Sequence, residues 1–130
     1  MAKYDVKKHY IAIYLCMVIA CFLLMMLRWI SHLSPNIVLL PNSILLHITN
    51  FSLSLLVLLC LGFGVLVFGG TIKSITIVGL LMIAFNFIYE IFLPILNTPD
   101  IADALFGLLG VVLAYVYLIR LKAKGLIMKQ

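Results

Sequence analysis

Apolar residues run through this chain in four long blocks, at 10–30, 43–68, 72–96 and 101–119, separated by short polar interruptions. Each block meets the roughly 20 residues that a helix needs to cross a hydrocarbon core. With no water at that depth, every backbone N–H and C=O must be satisfied within the segment, so each block is expected to be a helix. The fold class that follows is all-α: a polytopic integral membrane protein of four transmembrane helices with short loops, in one domain spanning 1–130.

The interruptions differ in character. In "FGGTIK", Gly69 and Gly70 supply a tight turn. It is not a phosphate-binding loop, because the Gly-Lys-Ser/Thr ending is missing. In "SHLSPNIVLLPNSILLH", Pro35 and Pro41 prevent a continuous helix, and the apolar "IVLL" between them is expected to rest in the membrane interface. Asn42 or Ser43 is then placed to cap helix 2. In "LNTPDIAD", either Thr98 caps helix 4 with Pro99 at its first position, or Asp100 caps it with Asp103 three residues later. Both arrangements put negative charge at the positive end of the helix dipole.

Composition agrees: 66% of residues are hydrophobic and 10% charged, against about a quarter charged in soluble domains. Lys7 and Lys8 precede the first block as they would a secretory signal. That block outruns the roughly 7–15 apolar residues of a signal and lacks a cleavage site, so it reads as a retained helix. The net charge of +5 has a topological explanation that needs no nucleic acid. Lys3, Lys7 and Lys8 precede helix 1, Lys73 follows the glycine turn, and Arg120, Lys122, Lys124 and Lys129 follow helix 4. The positive-inside rule places all of these, and both termini, in the cytoplasm, where anionic headgroups add attraction. Arg28 is left near the outer face. Trp29 outside, and Tyr10, Tyr115 and Tyr117 inside, read as interfacial anchors. Cys16, Cys21 and Cys60 have no CxxC spacing and read as packing residues.

The chemistry lies in the polar residues that remain. At 1.5 Å of rise per residue, Glu90 is roughly 9 Å below the outer end of helix 3, His47 about one turn into helix 2, Asp103 in the first turn of helix 4 and Arg28 near the end of helix 1. All four helices thus contribute an ionisable residue to one outer layer. Helical spacing adds Asn50 and Ser54 to the face of His47, and Asn86 to that of Glu90. The face of Asp103 continues as Gly107, Gly110 and Ala114, a small-residue seam that allows close helix approach. Pro94 clashes with the carbonyl of Glu90 four residues back, so a bend is expected there. Charges inside a bilayer cost about 2.5–3.5 kcal/mol on insertion scales and ordinarily face a cavity or a partner. No HExxH or comparable spacing marks a metal site, and His9 and His32 lie in no motif, so no metal or cofactor is expected. No serine or cysteine carries a nucleophile signature, which favours a non-enzymatic role.

The run from Glu90 through Asp100 to "DALFGLLG" at 103–110, with "LLHITNF" at 45–51, resembles the VanZ-like family over roughly residues 42–118. That family's signature sets an intramembrane glutamate before a loop, then an aspartate and an Asp-x-x-x-Asn-x-x-Gly pattern. Glu90, Asp100, Asp103, Gly110 and the helix 2 histidine, His47, match it. Gly107 stands in place of the asparagine, Leu93 where a glutamine often follows the glutamate, and Ser43 and Ile44 in place of an Asp-Lys pair. The resemblance implies a multi-pass protein of the bacterial cytoplasmic membrane, in a family linked with resistance to teicoplanin and related glycopeptides.

The leading expectation is a cell-envelope protein whose outward-facing pocket takes a lipid headgroup, a lipid-linked precursor or a lipophilic glycopeptide-type antibiotic. Its ligand-binding residues are Arg28, His47, Asn50, Asn86, Glu90 and Asp103, with Asp100 as helix cap and Pro94, Gly107 and Gly110 as structural positions. Two other classes are open: a small proton-coupled transporter or flippase using Glu90, as a homo-oligomer, and a structural or immunity-type subunit. An enzyme acting on lipid phosphates ranks behind all three.

Overall fold

The computed structural model describes residues 2–34, 40–92 and 100–129. Among these are four helices, α1 (Lys8–Leu33), α2 (Asn42–Val67), α3 (Ile72–Phe92) and α4 (Ile101–Arg120), and two short strands, β1 (Tyr4–Val6) and β2 (Leu126–Met128). A single π-helical turn over Leu121–Gly125 joins α4 to β2. All four helices are long and apolar enough to cross a membrane, as the hydrophobic blocks predict. Pro35, Pro94 with its expected bend, and the Thr98–Pro99 alternative for the α4 cap lie outside the described residues.

Local chemistry sets the ends. Pro41, with φ −55°, takes the N-cap position of α2. Its carbonyl accepts from the N–H groups of Ile44 and Leu45 at 2.9 and 3.1 Å. The helix therefore starts directly after the proline, whose ring disfavours helical backbone in the residue before it. Asn42 and Ser43, expected as caps, fall inside the first turn instead. Between α2 and α3, Gly69 adopts φ +94°, a left-handed conformation natural to glycine.

The strands were not foreseen. β1 and β2 pair antiparallel, Tyr4 with Met128, Asp5 with Ile127 and Val6 with Leu126. The ribbon is tied to the bundle by Lys3 N–H donating to the Val67 carbonyl and Lys7 N–H to that of Gly125, both at 2.9 Å. The start of α1, the end of α2 and the end of α4 thus gather with the α2–α3 turn at one end of an up-down bundle. Eight of the nine basic residues, all but Arg28, lie in or beside these segments. The polar ends carrying Arg28, His47, Glu90, Asp100 and Asp103 collect at the other.

Across the bundle, α4 packs between α2 and α3, and α1 packs on the outer side of α2. Leu55, Leu58 and Leu59 of α2 meet Val111, Ala114 and Leu118 of α4 in the buried core. Cys21 is the buried residue of α1. Lipid tails are as apolar as leucine, so association rests on close packing and interhelical hydrogen bonds. The glycine seam supplies the first: a Cβ on Gly110 would lie 2.3 Å from the Phe51 carbonyl oxygen. Tyrosines supply the second, correcting the sequence reading of two of them as interfacial anchors. Tyr117 is 6% exposed and donates to the Tyr10 carbonyl at 2.8 Å, and the Tyr115 hydroxyl meets that of Thr76 at 2.6 Å. A phenol inside a bundle keeps its ring in the core only by finding a partner for its hydroxyl. Trp29, by contrast, is 63% exposed.

Candidate ligand site at the polar end of the bundle

α2 separates the polar end into two sides. His47, Asn50 and Ser54 recur at helical spacing and face α4 and α3, whereas Leu46 and Thr49 face α1.

On the first side, the imidazole of His47, 9% exposed, places Nδ1 2.8 Å from Asp103 Oδ1. One proton is shared across this contact, which ties α2 to α4. The ring also lies against Phe106, with centroids 5.2 Å apart. Asp100 caps α4, its Oδ1 accepting from Ala102 N–H at 2.9 Å while Oδ2 stands 3.9 Å from His47 Nδ1. Both aspartates sit at the positive end of the α4 dipole. Glu90 is 4% exposed and lines a cavity of about 270 Å³ with Asn50, Asn86 and Asp103. Asn86 Nδ2 donates to Ser54 Oγ at 3.0 Å. Gly107 makes that contact sterically feasible, because a Cβ there would come within 2.4 Å of Asn86 Nδ2. The asparagine of the VanZ-like pattern would not fit beside this pair as it stands.

On the second side, Arg28 Nη1 donates to Thr49 Oγ1, holding the guanidinium against α2. Arg28, Ser31, His32 and Thr49 line a cavity of about 770 Å³ between α1 and α2. The expected pocket is therefore distributed over two cavities. Asn50, Asn86, Glu90 and Asp103 share one, His47 joins it through Asp103, and Arg28 belongs to the other. His32 sits in the last turn of α1. Ser31 and Thr49 were missed: single hydroxyls on apolar helices carry no sequence signal of a site.

Packing also gathers a donor set that spacing could not show. His47 Nδ1 and one oxygen each from Asp100 and Asp103 lie within 4.8 Å of one another, and these residues could hold a metal ion. The cap and the hydrogen bond already occupy the same groups, which accounts for their positions without one.

The cap can be tested separately. Asp100→Ala is expected to lower stability by about 1 kcal/mol, and Asp100→Asn by a few tenths at most, since asparagine caps about as well as aspartate. Chemical denaturation in micelles measures both. Equal losses would show that the charge facing His47, and not the cap, is what Asp100 contributes.

Comparison of the chain with protein-family models, with curated proteins and with solved structures returns no match. The VanZ-like resemblance accordingly rests on its short motifs alone.

Proposed function

We propose that this chain is a non-enzymatic, multi-pass protein of the bacterial cytoplasmic membrane that holds the polar headgroup of an amphiphile in the cavity between α2, α3 and α4. The supporting observation is the buried Glu90 with Asp103, Asn50 and Asn86 around one cavity of about 270 Å³. Carboxylates are acceptors, so the complementary ligand group carries donors: an ammonium or sugar hydroxyls. The volume falls just below the roughly 300–1,000 Å³ of drug-sized sites, which suits a headgroup better than a whole antibiotic. Of the three expected ligand classes, a lipid headgroup or the polar part of a lipid-linked envelope precursor enters entire. A lipophilic glycopeptide would enter by one group only. The basic ribbon end faces the cytoplasm in this reading, so the cavity opens outward.

Phosphatidylethanolamine and phosphatidylcholine share their phosphate and differ in N–H donors, so titrating delipidated protein with each, by native mass spectrometry, isolates the donor contribution. About tenfold tighter binding of phosphatidylethanolamine is expected, the worth of one charge-assisted hydrogen bond. Glu90→Gln with Asp103→Asn should remove the preference. Equal affinity for the two lipids in the unaltered protein would sink the proposal.

A further inference from the structure

We infer that the α1–α2 cavity is a second, separate site, which binds the phosphate of an acidic phospholipid. It lies on the opposite side of α2 from the carboxylate cavity and does not depend on what that one holds. Arg28 and His32 stand at i and i+4, so the last turn of α1 presents a guanidinium and an imidazole on one face. Thr49 meets this face from α2, where its hydroxyl takes one of the five guanidinium donors and leaves the charge in place.

The charge of the wall points to an anion. Among the described residues the salt bridges are those of His47 with Asp100 and Asp103, so Arg28 has no carboxylate within reach. A half-buried cation in a membrane span ordinarily pairs with a counter-charge. The helix ends do not alter the sign. The negative C-terminus of α1 and the positive N-terminus of α2 meet here and oppose each other, leaving the formal charge of Arg28 to decide.

The remaining walls identify the source of the phosphate. Met25, Trp29, Leu45 and Leu46 are apolar, and the volume of about 770 Å³ exceeds what a free phosphate needs. A glycerophosphate head with the first methylenes of its acyl chains fills both parts. The guanidinium offers two parallel N–H groups to two phosphate oxygens, a match that an ammonium cannot make.

Delipidated protein in neutral detergent, titrated with phosphatidylglycerol, diacylglycerol and inorganic phosphate by native mass spectrometry, tests this. One phosphatidylglycerol should bind, diacylglycerol should not, and millimolar inorganic phosphate should fail to displace the lipid. Arg28→Gln should weaken phosphatidylglycerol about tenfold, with Arg28→Lys between it and the unaltered protein. Ser31→Ala removes an enclosed hydroxyl that the ligand does not reach, so it should leave binding unchanged and serves as a control on the same helix turn. Lys122→Gln with Lys124→Gln, at the basic end, should leave this binding unchanged. The inference is overturned if Arg28→Gln binds phosphatidylglycerol as before, if the lysine pair accounts for the binding, or if inorganic phosphate displaces the lipid at comparable concentration.

Discussion

Gly110→Val should lose about 3 kcal/mol of stability or fail to fold, and even Gly110→Ala should lose about 2 kcal/mol, at the upper end of what overpacking costs. A Cβ at this position would lie 2.3 Å from the Phe51 carbonyl oxygen and 3.0 Å from the Leu55 amide nitrogen. Both are backbone atoms of α2, so no side chain can rotate away and the helix itself must move. That movement would open the contact between α2 and α4 on which the core rests, and lipid would not restore it by squeezing the helices together. Gly64 is the matched control, also helical but with nothing within 4 Å of an added Cβ. Gly64→Ala should stay within about 1 kcal/mol of the parent and on the stable side, because alanine favours a helix over glycine. Reversible unfolding by SDS, followed by circular dichroism, compares the two. A Gly110→Ala protein as stable as Gly64→Ala would mean that α2 and α4 do not meet in this register.

The seam containing Gly110 was visible in the sequence because residues 103, 107, 110 and 114 share a helical face. The blocks themselves were visible because a membrane asks for length and apolarity, and little else competes. Azimuth was not visible. Rise per residue puts Arg28 and Glu90 in one layer, but only the packing order, with α1 outside α2 and α4 between α2 and α3, reveals that α2 stands between them. Thr49 and Asn50 are neighbours in sequence, yet a helix turns them about 100° apart, and each reaches a different cavity. The ribbon was hidden for another reason. Tyr4 pairs with Met128 across almost the whole chain, through strands of three residues with no alternation to read. Tyr117 was misread because an aromatic near a helix end carries the same signal whether it faces headgroups or the Tyr10 carbonyl.

The bond between His47 and Asp103 carries the second large effect. It joins α2 to α4 at the polar end, beyond the glycine seam. At 2.8 Å, with the His47 side chain 11% exposed and that of Asp103 19%, it is a short contact largely shielded from water. Asp103→Ala should cost about 2 kcal/mol, since it removes the acceptor and leaves a buried N–H unpaired. His47→Ala should cost a similar amount, in which lost packing against Phe106 takes part. The double variant should cost less than the sum, by about 1.5 kcal/mol, near the top of the range known for interhelical hydrogen bonds in membranes. Asp103→Asn separates charge from shape: the amide oxygen can still accept, so only the charge and its dipole contribution at the α4 N-terminus are lost, about 1 kcal/mol. Four denaturation curves in the same micelle decide the matter. Additive losses would mean that the imidazole and carboxylate do not hold each other, and Asp103 would then be positioned in the cavity by the α4 N-terminus alone.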